Sequence, residues 1–365
     1  MSDDVPSGMD KVISTVLRQS GYGSDNTSLS DLLRGPSTSG LGNLTQANQD
    51  SQGWTFFTKP CCNLHPDNID GVRKLAYLAD EDPRSIGKAI KALLTTRKFN
   101  LRNGDIATPS ELVDEDQAFN YLMSGTLKSL TGFPDHVSTF FSSDEGVAKE
   151  TYGWIDSRHE FYGEFSLNAT FQNIEGDLLT SYLSALHQYQ SNVAYGSMMP
   201  WNEFRAMNAV DYQFRIYRLV VDKTKENILK IACTGPCMIE TPADGAAFNY
   251  ASENVMAADN AEISIPIKVT TGVRYNDPKI VDDFNRTVAF YNIDMSDAVL
   301  EEARKVPRAS FEVSILPATS MVKIHREEYK LCSNSVYPYI YDDGKGAKLE
   351  WWIRAEDLNS LLTNF

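Results

Sequence analysis

Residues 159–172, HEFYGEFSLNATFQ, are the stretch that decides the fold class. Polar residues or tyrosine occupy every second position, and the positions between them hold Phe161, Gly163, Phe165, Leu167, Ala169 and Phe171. Successive side chains of a strand point to opposite faces, so this alternation predicts a β-strand with one buried and one solvated face. The chain therefore contains at least one sheet that covers a core on one side only.

Further elements follow this strand along the chain. Apolar residues at helical spacing predict a helix at 176–195, and strands at 212–221 and 228–233 are joined by a polar hairpin loop. Another alternating strand, 263–271, has Pro266 on its second face, and because proline cannot donate to a ladder this favours an edge strand or a bulge. The remaining predicted elements are a helix opened by Asp277-Pro278, a short helix at 295–305, and strands at 311–315, 337–341 and 349–353.

The chain before residue 150 reads as a small mixed α/β region. Trp54, Phe56 and Phe57 form a strand-like run that ends at Pro60. Asp82-Pro83 combines an N-cap with a first-turn proline, which predicts the start of a helix. The region also contains the expected helix face Ile86, Ile90, Leu93 and Leu94, a hairpin at 98–107 around Asn103-Gly104, and a second helix at 115–130 with Phe119, Leu122, Met123, Leu127 and Leu130 at helical spacing.

Residues 1–52 form a polar N-terminal arm rich in Ser, Gly, Asn, Asp and Gln. The arm has two short apolar patches, Met9–Leu17 and Leu32–Leu33, which are too few to build a core. Two interpretations stay open: a disordered tail, or an arm that becomes ordered on a neighbouring subunit with the two patches as anchors.

These elements predict an α+β protein, and 365 residues are enough for two modest domains. We expect four parts: the flexible arm 1–52, the mixed α/β region 53–150, a β domain with flanking helices at 151–310, and C-terminal strands at 311–365 that complete the core or form an interface. No repeat of 20 to 50 residues is visible, which argues against a solenoid or propeller.

Acidic residues exceed basic ones, 49 to 34, which gives a formal charge of -15. No Lys/Arg cluster interrupts this excess, so specific nucleic-acid binding is not expected. Such a charge serves solubility, or it repels DNA where DNA must slide past without sticking.

Cysteines and histidines show no metal-ligand pattern. The five cysteines cannot all pair within one chain, which fits a reducing cytoplasm, and we expect no cofactor and no metal site. No run approaches the roughly 20 apolar residues that span a bilayer, and the N-terminus lacks a basic region followed by an apolar core, so neither membrane insertion nor secretion by that route is expected. The residues considered are Cys61, Cys62, Cys233, Cys237 and Cys332, with His65, His136, His159, His187 and His325.

No constellation of catalytic residues stands out, so we assign no catalytic residue and do not expect an enzyme. Thr234-Gly235-Pro236-Cys237 places a proline where a phosphate loop needs backbone donors, and it is interpreted as a turn. Adjacent carboxylates could supply an acid and a base for glycan hydrolysis, but on helices or turns they usually face solvent or cap the helix. These pairs are Glu81/Asp82, Asp282/Asp283 and Glu301/Glu302, and the aromatic run Trp351-Trp352 beside Arg354 is interpreted as core packing or a subunit contact.

The order of elements over residues 159–290 resembles tail-tube-type proteins of contractile-tailed phages. The resemblance rests on the long alternating strand, the helix after Glu175-Gly176, the hairpin 212–233, the small-residue loop 234–248 and the strand 263–273. Two local phrases also resemble virion proteins of large tailed phages: Phe56-Phe57-Thr58-Lys59-Pro60 followed by Asn63-Leu64, and Arg274-Tyr275-Asn276-Asp277-Pro278 followed by Phe284-Asn285.

The resemblance implies a tail-tube-like antiparallel β-sandwich or barrel with flanking helices, closed into homo-oligomeric rings. It implies a structural protein of the virion tail, assembled in the host cytoplasm, which associates with itself and with other tail or baseplate proteins. The mass beyond a minimal tube subunit favours a tube-initiating, baseplate or neck position. A head-to-tail connector and a tail-associated glycan-binding or glycan-hydrolysing module are the alternatives.

Overall fold

The fold is built from antiparallel strands and from helices. The computed structural model describes residues 52–96, 109–156, 163–207, 209–222, 224–245, 262–305, 321–324, 335–342, 344, 346–355 and 357. The strands within these residues are β1 Gln52–Phe57, β2 Leu127–Thr131, β3 Phe140–Ser142, β4 Gly153–Ile155, β5 Phe165–Gln172, β6 Ile216–Val221, β7 Ile228–Thr234, β8 Cys237–Ile239, β9 Glu262–Val269, β10 Val273–Tyr275, β11 Met321–Ile324, β12 Tyr337–Asp342 and β13 Ala347–Arg354. The helices are α1 Pro66–Ile69, α2 Ile86–Leu94, α3 Tyr121–Thr126, α4 Leu178–Tyr195, α5 Asn202–Ala206, α6 Pro278–Tyr291 and α7 Asp297–Lys305, with 3-10 turns at Arg73–Ala79 and Ile293–Met295.

Two four-stranded sheets are joined by one bent ribbon. Their strand orders are β1-β6-β7-β10 and β2-β5-β9-β8. Strand β7 continues into β8 and strand β9 into β10, so the same two chain segments pair in both sheets on either side of the bend. A three-stranded sheet, β11-β13-β12, and the two-stranded sheet β3-β4 complete the described strands, and no sheet in this part of the chain closes on itself. The protein is thus a mixed α and β protein with several antiparallel sheets.

The bend is made at Gly235, where the backbones of the two ribbon segments approach closely. The Gly235 amide donates to the Gly272 carbonyl at 2.9 Å, and the Thr270 amide donates to the Pro236 carbonyl at 3.0 Å. A Cβ atom on Gly235 would lie 2.6 Å from the Thr271 carbonyl oxygen and 2.0 Å from its Oγ1. Only glycine fits this approach, so the predicted turn is the corner at which the chain passes from one sheet to the other.

Two hydrophobic cores lie on the faces of these sheets. Adjacent Phe56 and Phe57 point to opposite faces of β1 and enter different cores, and Ile216 and Tyr217 do the same on β6. The first core gathers residues of α2, α4, β5 and β9, among them Ile90, Leu93, Leu167, Phe171, Tyr182, Leu186, Ile265 and Ile267. The second gathers residues of β7, α6 and the C-terminal sheet, among them Ile231, Phe284, Val288, Met321, Tyr337, Leu349 and Trp352.

The alternating strand and the two longest helices are confirmed. In β5, Leu167, Ala169 and Phe171 are buried while Ser166 and Asn168 are exposed. Helix α4 buries the face that its spacing predicts. Helix α6 begins after Asp277, whose side chain accepts from the Lys279 amide, with Pro278 in the first turn. The predicted hairpin 98–107, the strand 311–315 and residues 159–162 lie outside the described residues.

Two predictions in the first region are wrong in part. The helix expected at 115–130 is the short α3 followed by β2, because Asn120 caps the Leu122 and Met123 amides and residues from Leu127 pair with β5 instead. The apolar residues of 115–130 have helical spacing, but the pairing of β2 with β5 determines the structure from Leu127 onward. Helix α2 is capped by Ser85, three residues after the predicted start at Asp82.

Pro266 lies on an interior strand, so the prediction of an edge strand is wrong. Strand β9 pairs with β5 along its whole length and with β8 over Ile267–Val269. The Pro266 carbonyl accepts from the Glu240 amide on the β8 side, just beyond the last residue of β8. The proline nitrogen faces that same side, where β8 has ended and no ladder hydrogen bond is required of it.

The outer edge of β12 is covered by one side chain of helix α6. The Asn285 amide nitrogen donates to the Ile340 carbonyl at 2.8 Å, and the Ile340 amide donates to the Asn285 oxygen at 3.0 Å. Asn285 therefore satisfies both polar groups that Ile340 presents to this edge, as a neighbouring strand would.

Lys59 is a buried cation just after β1. Its side chain is 3% exposed, and its Nζ donates to the Asp114 carbonyl at 2.8 Å. Burial lowers the pKa of Lys59 from 10.5 to about 8, and the carboxylates of Asp114, Glu115 and Asp116 oppose this shift only in part. The charged lysine is therefore less favourable in the folded chain than in the unfolded one.

Lys59→Met is expected to stabilise the protein at pH 7. The pKa difference corresponds to a destabilisation of about 3 kcal/mol that the substitution removes. Loss of the hydrogen bond to Asp114 offsets roughly 1 kcal/mol of this gain. Between about pH 8 and 10.5 the unfolded chain holds more protons at Lys59 than the folded chain, so the penalty in the wild type fades as pH rises. The measurement is the difference in urea unfolding free energy between wild type and variant, followed from pH 7 to 10.5; a difference independent of pH would contradict it.

Gly235→Ala is expected to destabilise the fold by about 1–3 kcal/mol, because the added methyl group clashes with the Thr271 backbone. The matched control is Gly125→Ala in helix α3, where no atom lies within 4 Å of the new Cβ and a gain of about 0.5–1 kcal/mol is expected. Urea unfolding midpoints of the two variants measure both effects. Equal stability of the Gly235 variant and wild type would show that the corner tolerates a side chain.

Candidate interaction surface

A two-stranded hairpin, β3-β4, lies outside both hydrophobic cores. Phe140, Phe141 and Ser142 of β3 pair with Ile155, Trp154 and Gly153 of β4, in that register. Two further backbone bonds extend the ladder: the Ser143 amide donates to the Tyr152 carbonyl at 2.8 Å, and the Asp156 amide donates to the Thr139 carbonyl at 2.9 Å. At the turn, the Gly146 amide donates to the Glu150 carbonyl at 2.9 Å.

The base of this hairpin is attached to strand β10. The Tyr275 hydroxyl donates to the Pro134 carbonyl at 2.7 Å. The Tyr275 ring lies edge-on to His136, with ring centroids 5.2 Å apart. The base of the hairpin is therefore held by β10, while the residues of β3 and β4 belong to neither core.

Large apolar side chains cover the hairpin and remain exposed. All six residues of β3 and β4 are exposed, including Phe140 at 70%, Ile155 at 62% and Trp154 at 54%. Phe141 and Trp154 contact each other at 4.8 Å between ring centroids, and this pair leaves most of the apolar area in water. We call residues 137–155 the apolar hairpin; its exposed large side chains are Val137, Phe140, Phe141, Val147, Tyr152, Trp154 and Ile155.

Such a hairpin is typical of a protein interaction site. A two-stranded hairpin on its own is marginally stable in water, because neither face is buried. Contiguous exposed apolar side chains on a soluble protein mark surfaces that other proteins cover. The arrangement offers apolar area and a rigid attachment, and it offers no acid, base or nucleophile aimed at a common point.

The three adjacent carboxylate pairs considered as candidate acids and bases do not come together at one site, and of their members Asp282 and Asp283 line a groove. Asp282 pairs with Arg286 one helical turn away at 3.2 Å. Asp283 accepts from the Tyr217 hydroxyl at 2.7 Å and pairs with Arg215. The other members lie apart from these two: Asp82 accepts from the Arg84 amide in a turn, and Glu81, Glu301 and Glu302 are exposed.

The aromatic run near the C-terminus contributes to packing. Trp352 is 1% exposed and belongs to the second core. Trp351 lies edge-on to Trp54, with ring centroids 5.6 Å apart, and the Arg354 guanidinium pairs with Asp116. This agrees with the core-packing interpretation of the run.

The described cysteines are buried or partly buried thiols without disulfides, and Cys332 lies outside the described residues. Burial raises the pKa of Cys61, Cys233 and Cys237 to about 12, so these thiols stay protonated and unreactive at neutral pH. In the part of the chain that the structure describes, no three His, Cys, Asp or Glu side chains come together as metal ligands. Within the same residues, no helix has the length and apolar character needed to cross a membrane.

The sequence analysis missed the apolar hairpin. The signal was present as two short runs, Val137–Ser142 and Tyr152–Ile155, on either side of a polar turn that contains Gly146. Both runs are short, and their apolar residues do not alternate with polar ones, so they do not stand out as half-buried strands.

Comparison with known proteins gives a family match over nearly the whole chain. A family model described as "Putative phage tail tube protein" matches residues 3–364. No curated protein matches the chain. Among solved structures, the cryo-EM structure of the anti-feeding prophage cap, the AFP tube terminating cap, is 10% identical and covers 41% of this chain and 79% of its own, with a TM-score of 0.23.

That structural similarity is too low to support any statement about the fold, so the assignment rests on the family match. The match includes the polar arm, both cores and the apolar hairpin. The chain belongs to this family of phage tail tube proteins and is a structural component of a phage tail.

Proposed function

We propose that this protein is a tube-type subunit that closes into homo-oligomeric rings, and that the apolar hairpin is buried against a neighbouring copy. The observation that carries the proposal is a hairpin whose six strand residues are all exposed although four of them are Phe, Trp or Ile. Tail tube proteins assemble with themselves and with other tail proteins, which supplies a partner for such a surface.

The extra mass of the chain is compatible with a repeating tube subunit. The match to the tail tube family spans 3–364, so the arm and the region 53–150 are part of the family pattern and do not by themselves favour a tube initiator, baseplate or neck position. We place the subunit in the tube on this ground. The two sheets joined at the Gly235 corner are then the two layers of a tail-tube-like sandwich, which neighbouring copies extend.

The remaining parts are assigned within the same proposal. Residues 1–52 act as an arm that becomes ordered on a neighbouring subunit, and the regions 53–150, 151–310 and 311–365 form the body. Strand β1 begins at Gln52, the last residue of the arm, and lies at an edge of its sheet. An arm that leaves from an edge strand can reach an adjacent copy without disturbing either core.

A lining role for the acidic surface also follows. The net charge of -15 repels DNA phosphates, so carboxylates on the ring interior would let DNA pass without binding. The role is structural rather than enzymatic, and its place is the tail of the virion, assembled in the host cytoplasm.

Removal of apolar area from the hairpin tests the proposal. Phe140→Ser with Ile155→Ser changes a directly paired cross-strand couple, and we expect loss of rings in electron micrographs and in sedimentation because the buried interface area is lost. The fold should persist, since neither residue belongs to a core.

The matched control is Tyr195→Ser with Ile293→Ser, two residues that are 89% and 75% exposed and lie outside the hairpin. This control is expected to form rings as the wild type does. Normal rings from the hairpin variant would contradict the proposal, and so would a wild type that stays monomeric at every concentration.

A further inference from the structure

A groove beside the Gly235 corner carries positive charge on an otherwise acidic protein. It has a volume of about 630 Å³ and lies between the corner and the first turns of helix α6. Its charged lining residues are Arg215, Arg274, Lys279, Arg286, Asp282 and Asp283. Four positive and two negative side chains leave a net charge of +2 on the lining, while the whole chain carries -15.

Internal ion pairs do not use up this charge. Arg215 pairs with Asp283 and Arg286 with Asp282, which accounts for both lining carboxylates. Arg274 lies 3.8 Å from Asp277, a carboxylate outside the lining. With Asp277 included, four positive and three negative charges still sum to +1, and the exposed Lys279 ammonium has no ion pair within the described residues.

The turn of the apolar hairpin has the opposite charge. Asp144, Glu145 and Glu150 stand against the single cation Lys149, which gives a net charge of -2 over residues 143–150. All four side chains are exposed, and none of them forms an ion pair within the described part of the chain. Val147, at the end of the turn, is fully exposed.

We infer that the acidic turn of the hairpin from one copy docks in the cationic groove of a second copy. This inference rests on the proposed self-association and specifies the surface that receives the hairpin. Charge complementarity selects the groove, because a lining with a net charge of +2 attracts a turn with a net charge of -2. The strands of the hairpin bury their apolar side chains beside the groove once the turn is seated.

The contact joins two different surfaces, so it is a head-to-tail interface. Interfaces of this kind close into rings or extend into filaments, according to the rotation between neighbours. Each copy contributes its hairpin to one neighbour and its groove to the other. Every copy in a closed ring therefore takes part in two such interfaces.

Reversal of charge on each side separately tests the inference. Asp144→Lys with Glu145→Lys changes the turn from -2 to +2, and Lys279→Glu with Arg286→Glu changes the groove from +2 to -2. Each variant alone then presents like charges to itself, and we expect the concentration at half-assembly to rise about tenfold or more.

Mixing the two variants gives the decisive result. The reversed turn of the first variant, at +2, attracts the reversed groove of the second, at -2. The native turn of the second variant, at -2, attracts the native groove of the first, at +2. Both contacts between unlike variants are therefore favourable. We expect native mass spectrometry to show complexes that contain both variants at concentrations where each alone is monomeric. A single chain carrying all four changes is expected to assemble with itself.

Two controls change the same number of charges elsewhere. Glu301→Lys with Glu302→Lys matches the turn variant, and Arg73→Glu with Lys74→Glu matches the groove variant; all four residues are exposed and lie outside both surfaces. Both controls are expected to assemble as the wild type does.

The remaining outcomes overturn the inference in distinguishable ways. If the wild type and both reversed variants assemble normally, this contact is rejected and the proposed function is unaffected. Rescue in the fourfold chain without rescue in the mixture shows that the turn docks in the groove of its own chain. Loss that neither combination restores rejects docking of the turn in the groove, and a wild type that never assembles rejects the proposed function itself.

Discussion

The close approach of two backbones at Gly235 is the constraint on which the rest of the structure depends. Because the ribbon bends there without losing its hydrogen bonds, the same two segments serve both sheets and hold them at an angle. The first core fills the inside of that angle, and the second fills the other face of the β1-β6-β7-β10 sheet. The cationic groove beside the corner is formed by the same bend, so the geometry that organises the cores also shapes a surface.

Local patterns were sufficient for elements whose burial follows from their own sequence. Strand β5 and helices α4 and α6 are predictable because each presents one apolar face with the correct period. Helix α6 is also marked by Asp277, which caps its N-terminus. The stretch 115–130 could not be assigned in this way. Its apolar spacing suits a helix, and only the position of β5, distant in sequence, makes Leu127–Thr131 a strand.

The candidate site was harder to predict than the fold, for a physical reason. Sequence patterns report burial within the chain itself, whereas the strands of the apolar hairpin are exposed among the residues that the structure describes. Its two apolar runs lack the alternation that a half-buried strand would show. Exposed apolar residues of this kind therefore resemble ordinary loop residues in the sequence, and only the structure shows that they share one hairpin.

The side chain of Asn285 on the edge of β12 limits what can pair with that strand. An uncovered strand edge is a template on which any other strand, from any chain, can add indiscriminately. With both polar groups of Ile340 already satisfied, the edge offers no free donor or acceptor at this residue. A strand that adds at Ile340 would first have to displace the Asn285 side chain, so this part of the edge is protected against indiscriminate pairing between chains.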